Sequence, residues 1–462
     1  MRLCQSSTKE VIMNTENKMG TMPIGRLLIT MSLPMIISML VQALYNVVDS
    51  IFVARYSEAA LSAVSYAFPA QNLMIGLATG IGVGMNALLS KSLGEKNEKL
   101  VKKAAENGIF LAMIGSFLFF IFGLFFSKWF ISFQTATEEI INKGHVYLTV
   151  CCCASFGIFG EIIFERLMQS TGRTVYTMFT QGIGAIINII LDPIFIFGLL
   201  GFPELGIAGA ALATVVGQIA AFIIAIVLNR KYNPEIKISV KGFRPSASVI
   251  GRICAVGIPS VVMVGIGSLM TTALNKILNG FSDLAVSVFG VYFKLQSFIF
   301  MPIFGLNNGL IPIVAYNYGA GHRRRMIGAV RIACFIAVGF MLVGILMMQI
   351  FPDQLLTLFN ASEEMLGIGR VALRTISLSF IFAGVCIVLG STFQALGRGT
   401  YSMLVSFARQ IVVLLPAAYL LSLSGNLDAV WFAFPLAEIM SVAVSVALFI
   451  RIYKKIISKI PE

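Results

Sequence analysis

The stretch LMQSTGRTVYTM (167–178) returns 225 residues later as TFQALGRGTYSM (392–403), with Gln169, Gly172, Arg173, Tyr176 and Met178 falling on Gln394, Gly397, Arg398, Tyr401 and Met403. The same offset carries Pro34 onto Pro259, Ser57 onto Ser282, Phe68 onto Phe293 and Gln71 onto Gln296. It also takes Gly80, Gly84 and Gly94 to Gly305, Gly309 and Gly319. Scattered identities are ordinary in an apolar chain, but Gly, Pro, Gln and Arg holding one register over two long segments mark an internal repeat. The last hairpin aligns after a five-residue shift, GAALAT (209–214) against AVWFAF (429–434). Between the copies lies the longest polar connection, NRKYNPEIKISVKGFRPSASVIGR (229–252), which reads as a linker. The chain is a tandem duplication.

Each copy is apolar almost throughout. Of 462 residues, 58% are hydrophobic and 12% charged, with a mean hydropathy of +0.89. A soluble domain carries about 25% charged residues, so the natural solvent of this chain is lipid. Twelve apolar runs are long enough to cross a bilayer, each needing about 20 residues. They fall at 28–53, 60–90, 104–127, 143–165, 174–198, 206–228, 253–278, 284–314, 326–351, 366–393, 400–422 and 428–450. The fold class is therefore all-α integral membrane, with twelve transmembrane helices in two parallel six-helix repeats. The expected parts are an amino-terminal tail at 1–25, lobes at 26–230 and 251–452, a linker at 231–250 and a carboxy-terminal tail at 453–462.

The net charge of +13 would suit nucleic acid if it formed one patch. It does not. The tails and the even-numbered connections hold 25 Lys and Arg, against six on the other side, and the stretch 352–365 has Asp353, Glu363 and Glu364 without a base. That asymmetry predicts both termini in the cytoplasm of a plasma-membrane protein, with no nucleic-acid partner. The first 26 residues lack an apolar core and predict no cleavable signal peptide. Seven cysteines show no paired spacing, and the two histidines, His145 and His322, lie in or beside loops. Neither a disulfide frame, a zinc site nor imidazole catalysis is indicated, and no cofactor is expected. Parallel repeats of this kind commonly bind substrate between the halves and alternate access by rocking one against the other.

Ionisable residues at membrane depth need a partner or a task. Asp49 lies four or five residues from the outer end of the first span, Asp192 about six from the outer end of the fifth, and Thr214 about eight below that of the sixth. Asn188 is one turn from Asp192 on the same face. Four oxygen-bearing groups from three helices thus share a depth. Such a set suits a hard cation or a proton shared by two carboxylates; the bland alternative is hydrogen bonding to helix ends. No metal other than Na⁺ is expected. Glu161 is the deeper of two acids on the fourth span and lines a cavity or serves packing. Glu165 reads as interfacial, paired with Arg166 or Arg173. In the second half, Arg409 and Glu438 suit a structural ion pair inside the lobe. Lys294 can snorkel, pair with Glu438 or contact substrate. Gln71 and Gln296, matched in the repeat, are further cavity candidates. Gly80-x-Gly-x-Gly84 lacks the strand of a phosphate loop and reads as small-residue packing. Pro34, Pro193, Pro259 and Pro416 are expected to kink their helices.

These residues together resemble the multidrug and toxic compound extrusion (MATE) family. The stretches that carry the likeness are LPMIISMLVQALYNVVDSIFVARYSEAALSAVS (33–65), LMQSTGRTVYTM (167–178), NIILDPIFIFG (188–198), GIAGAALATVVGQ (206–218), ARQIVVLLPAAYLL (408–421) and AVWFAFPLAE (429–438). The resemblance covers residues 25–450. It implies a V-shaped transporter, not an enzyme, and export of cationic or amphipathic drugs in exchange for Na⁺ or H⁺ by a monomer among membrane lipids. It further implies cation coupling by Asp49, Asn188, Asp192 and Thr214, joined by the Ala210 carbonyl. Family acids on the seventh and tenth helices have no counterpart in 253–278 or 366–393. A flippase of lipid-linked saccharides is the alternative, and would need a strongly cationic cavity; a membrane-embedded enzyme lacks a catalytic pair.

Overall fold

The computed structural model describes residues 17–239, 242–359 and 361–460. The expectations for Arg2, Cys4, Lys9 and Lys241 lie outside the described residues. The first repeat comprises α1 (Ile24–Tyr56), α2 (Glu58–Gly94), α3 (Glu98–Phe125), α4 (Glu138–Cys153 continued by Phe156–Ser170), α5 (Thr174–Phe197) and α6 (Ile207–Tyr232). The second comprises α7 (Ala247–Asn279), α8 (Asp283–Gly319), α9 (Arg323–Ile350), α10 (Glu363–Ser377 continued by Phe380–Ala395), α11 (Gly399–Ser422) and α12 (Ala433–Lys455). Among the described residues ten spans are continuous and α4 and α10 are bent pairs. Successive helices alternate in direction, so the chain termini share one end of the molecule, here called the near end.

Equivalent residues make equivalent local structures. Ser57 and Ser282 cap α2 and α8: each hydroxyl accepts a backbone N–H, from Ala60 at 3.0 Å and from Ala285 at 3.1 Å. A cap of this kind contributes about 1 kcal/mol. The repeated Gly-Arg pair ends α4 and α10 with the same turn. Gly172 and Gly397 adopt φ of 84° and 74°. Their N–H groups donate to Gln169 and Gln394, and those of Arg173 and Arg398 to Met168 and Phe393, all at 2.8–2.9 Å. Only glycine enters that left-handed position cheaply, which satisfies the last helical carbonyls and reverses the chain.

The bends interrupt spans that the sequence reading runs straight through. α4 turns by 44° and α10 by 47° at corresponding places, and neither break holds a proline. Hydroxyls there take backbone carbonyls instead: Ser155 Oγ donates to Ser116 and Ser379 Oγ to Ile376, a local competition that disfavours a straight helix. Pro34, Pro193 and Pro259 lie within α1, α5 and α7, which continue through them unbroken. Pro416 follows a π-helical turn at Ala408–Leu414 within α11.

Two buried apolar clusters form, one in each repeat, and each reaches into the other half. The second-half cluster includes Leu27, Leu28 and Met31 of α1; the first-half cluster includes Val249 and Ile253 of α7. At the near end α2 and α8 cross with their backbones almost touching. A Cβ on Gly94 would meet the Tyr316 carbonyl oxygen at 2.1 Å, and one on Gly319 would meet that of Lys91 at 2.0 Å. These two contacts exchange under the 225-residue offset, so the halves are related by a pseudo-twofold. A short helix, Lys18–Thr21, spans the same end. Asn17 Nδ2 donates to the Thr171 carbonyl and to Glu235, at 3.2 and 2.9 Å. From the other half, Asn317 Nδ2 donates to the Met19 carbonyl at 3.0 Å and Arg325 Nη2 to that of Met22 at 2.6 Å.

Candidate functional site

Between the halves lies a cavity of about 1430 Å³, larger than the few hundred to 1,000 Å³ of most small-molecule sites. Its lining begins at Met35 on α1 and Ser260 on α7, and ends at Val83 on α2 and Ile311 on α8. The near-end portions of all four helices are therefore excluded, because they are packed against one another. The walls are apolar with isolated polar groups, among them Tyr45, Gln181, Gln296 and Asn307. Among the lining residues, the charged ones are Glu161, Glu165, Arg166, Arg409 and Glu438.

On the first-half wall, α1, α5 and α6 bring the oxygen-bearing set together. Asp49 and Asp192 are close neighbours, near enough for their carboxyl groups to interact. Asn188 Nδ2 donates to Asp192 Oδ1 at 3.4 Å and to Thr214 Oγ1 at 3.3 Å. Asp192 is fully buried, Asn188 is 2% exposed and Ala210 is fully buried one turn before Thr214. Asn188 and Thr214 face the cavity, whereas Asp49 and Asp192 stand behind them. Close helix packing makes this possible: a Cβ on Gly184 would meet the Gly217 carbonyl oxygen at 3.1 Å. Three buried oxygens of the cluster, Asp49 Oδ1, Asp192 Oδ2 and Asn188 Oδ1, have no hydrogen-bond partner among the described residues. Buried acceptors so placed are costly unless a proton or cation joins them. Four oxygen donors of this hardness fit Na⁺ as well as a shared proton.

The remaining expected site residues divide. Glu161 and Gln296 line the cavity. Arg409 Nη1 donates to Glu438 Oε1 at 2.5 Å, so the expected ion pair forms, and it stands on the cavity wall. Gln71 does not reach the cavity: its amide donates to Tyr147 and to Cys151 within the first repeat. Lys294 is exposed, with Nζ 5.7 Å from the centre of the Phe359 ring, and it meets neither Glu438 nor the cavity. Both corrections have one cause, since sequence spacing gives the depth of a residue but not the side of the helix it occupies. Glu165 does not pair with Arg173: it is 2% exposed and accepts hydrogen bonds from Thr180 at 2.6 Å and Gln181 at 2.8 Å, while Arg173 pairs with Glu235.

One contact across the halves was not anticipated. Arg166 Nη1 donates to Asn308 Oδ1 at 2.9 Å and to Gln169 at 2.8 Å. The doublet Asn307–Asn308, two amides in an apolar span, was the available signal. All six described cysteines are free.

With this geometry in place, the chain can be set beside known proteins. The MatE family profile matches residues 34–194 and 259–420, one match in each repeat. A FAD transporter of Shewanella oneidensis is 24% identical over 421 residues, covering 90% of this chain and 92% of its own. The multidrug export protein MepA of Staphylococcus aureus is 25% identical over 419 residues, covering 90% and 91%. Among solved structures, an outward-facing multidrug resistance MATE transporter of the MOP superfamily matches with a TM-score of 0.89 at 25% identity, over 96% of this chain and 99% of the other. A MOP superfamily transporter from Pyrococcus furiosus, described as having a binding pocket of reverse polarity, matches with a TM-score of 0.88 at 25% identity over the same shares. The two six-helix repeats therefore form the V of these transporters, and the chain belongs to the MatE family, whose members are membrane transporters rather than enzymes.

Proposed function

We propose that the protein is a multidrug exporter that carries cationic and amphipathic small molecules out of the cell in exchange for Na⁺ or H⁺, acting as a monomer in the plasma membrane with both termini in the cytoplasm. The observation that carries the coupling is the set Asp49, Asp192, Asn188 and Thr214: Asn188 and Thr214 face the cavity, and the unpartnered oxygens of Asp49 and Asp192 lie behind them. In this reading the lobes, residues 26–230 and 251–452, rock about the near-end crossing. The structure then corresponds to the outward-facing state. Ion binding at the cluster and substrate binding in the cavity bias the same equilibrium, so each weakens the other's hold.

The test is efflux of a cationic dye from vesicles under a proton gradient alone and a sodium gradient alone. Asp49→Asn and Asp192→Asn are each expected to lower gradient-driven efflux at least about tenfold, the size of effect a lost charge partner produces. Undiminished efflux by both variants overturns the mechanism. The Shewanella FAD transporter supports a second reading, with FAD as cargo, since Arg166 and Arg409 stand on the cavity wall. FAD in the same vesicles separates the two. A lipid-linked saccharide flippase calls for a strongly cationic cavity, and the lining carries three carboxylates against two guanidinium groups.

A further inference from the structure

A second, narrow groove lies where the two halves meet, walled by α2 and α3 on one side and by α7 on the other. No charged residue lines it; Leu77, Leu111 and Leu118 face Ile253, Ile258 and Val261. Leu118 and Ile258 are 55% and 59% exposed, so the groove opens to lipid and not to the central cavity. Its volume is about 150 Å³, half or less of the roughly 300–1,000 Å³ of small-molecule sites. A space so narrow suits a single hydrocarbon chain. Its depth suits one too. α3 has no charged residue after Glu106, and α7 has none between Arg252 and Lys276, so the groove begins at the hydrocarbon boundary. Leu118 lies 12 residues past Glu106 and Val261 nine past Arg252, about 13–18 Å along the helices. One leaflet is about 15 Å thick.

Toward the near end, the linker is pinned to α3 at the mouth of this groove. Ser246 N–H donates to Asn107 Oδ1 at 2.9 Å, and Asn107 Nδ2 donates to the Lys103 carbonyl at 2.7 Å. The Phe243 ring lies 5.6 Å from that of Phe110. Asn107 thus joins the turn of Lys103 to Ser246, two residues after Arg244. Lys103 also heads the α3 face that continues through 107, 111, 114 and 118 into the groove. Lys103 and Arg244 are exposed, and neither forms an ion pair among the described residues. Lys102, on the same turn, is paired with Glu106 at 3.7 Å. Two uncommitted cations therefore stand at headgroup level over a groove one chain wide, and basic groups so placed attract anionic lipid.

We propose that this seam binds an anionic glycerophospholipid, one acyl chain lying in the groove and the phosphate taken by Lys103 and Arg244, and that the bound lipid holds the near end closed. The inference goes beyond the exporter reading and requires neither its cargo nor its coupling ion. Since α7 belongs to one half and α2 and α3 to the other, parting of the halves at the near end withdraws one wall. The lipid loses its contacts there, so it favours the closed arrangement by its differential affinity.

The probes are phosphatidylglycerol and phosphatidylcholine with identical chains, added to the purified full-length protein and counted by native mass spectrometry. The unmodified protein is expected to retain one phosphatidylglycerol in preference to phosphatidylcholine. Lys103→Gln and Arg244→Gln should each lower that preference about fivefold, the share of one basic group near an anionic headgroup. Ile258→Trp, which fills the groove, should lower retention of both lipids about tenfold, the share of roughly two buried methylene groups. Lys102→Gln, and Leu342→Trp at an exposed position on α9, should change neither. If the Lys103 and Arg244 variants keep the preference, or if Ile258→Trp retains as much lipid as Leu342→Trp, only ordinary surrounding lipid is present and the proposal fails. In nanodiscs, replacing phosphatidylcholine by phosphatidylglycerol should shorten the distance between spin labels at positions 96 and 322, and Ile258→Trp should abolish that response; a distance indifferent to lipid overturns the effect on closure. Dye efflux tests the exporter reading separately, because lipid retention is measured without transport.

Discussion

Asp49 and Asp192 are close neighbours, and each leaves one buried oxygen without a donor. Two carboxyls in that arrangement need a proton or a cation between them. The surrounding neutral groups distinguish the two. A sodium ion needs the oxygens of Asn188 and Thr214 to complete its shell, whereas a proton shared by two carboxyls does not. Asn188→Ala is therefore expected to lower the apparent affinity for Na⁺ about tenfold if sodium is the coupling ion, and to change a proton-driven rate by less than about twofold. The concentration dependence of dye efflux on Na⁺ and on pH measures it. This cluster was legible in the sequence because charged loops fix the helix ends and a count of residues then fixes depth. Rotation about the helix axis is not fixed by such a count in a helix that is apolar all round. Hence Gln71, at a depth suited to the cavity, turns instead to Tyr147 and Cys151, and Lys294 lies over Phe359.

Among the elements, the short helix Lys18–Thr21 has the clearest mechanical consequence. It is held to the first repeat through Asn17 and to the second through Asn317 and Arg325, and Met19 between them is fully buried. Separation of the lobes at this end must break one of these sets. Hydrogen bonds to a charged group contribute about 1.5–3 kcal/mol, so Arg325→Ala is expected to favour the near-end-open state roughly ten- to a hundredfold. Spin labels at positions 96 and 322, in the turns after α2 and α8, would report it as a longer, broader distance distribution. Proton binding acts on the same strap. Burial raises the Glu235 carboxyl above its ordinary value of 4.5, against the opposing pull of Arg173, Asn17 and Lys18. A carboxyl raised in the closed state takes up a proton on closing. Its contribution to closure is thus complete below about pH 4.5 and lost as pH rises through the raised value. Lys18 is held below its ordinary 10.5, chiefly by burial and then by Arg173, so its own contribution is present above that value and lost as pH falls through the lowered one. Glu235→Gln is expected to remove the acidic part of the pH dependence of the label distance and leave the basic part. None of this strap was legible in the sequence, where Met19 and Asn17 belong to a polar tail without periodicity. The bends in α4 and α10 escaped for a related reason: serine in an apolar run carries no mark of whether its hydroxyl bonds to its own helix or to a neighbour.

At the scale of the whole molecule, the duplication read from aligned glycines and prolines becomes a physical contact. Gly94 meets the Tyr316 carbonyl and Gly319 meets that of Lys91, each relation being the other's image under the 225-residue offset. The repeat is therefore more than a record of ancestry, because the repeated glycines are where one copy closes against the other. Spacing alone showed that these positions repeat; it did not show that they pack across the halves. The seam also sets a direction for mutation. A side chain at Gly94 or Gly319 strikes backbone rather than a movable side chain, and overpacking of this kind costs about 1–3 kcal/mol. Only the closed near end pays it, since separated lobes leave the position free. Gly94→Leu and Gly319→Leu should each shift the lobes toward the near-end-open state by about five- to 150-fold, visible in the same label distances. Dye efflux should fall in step, because a transporter that cannot close this end cannot complete its cycle. Gly339→Leu provides the comparison: it adds the same side chain to α9 where nothing lies within 4 Å, and efflux there should stay within about twofold of the unmodified protein. If all three variants lose efflux equally, the glycine seam has no special part in closure and the crossing is simply where two helices pass.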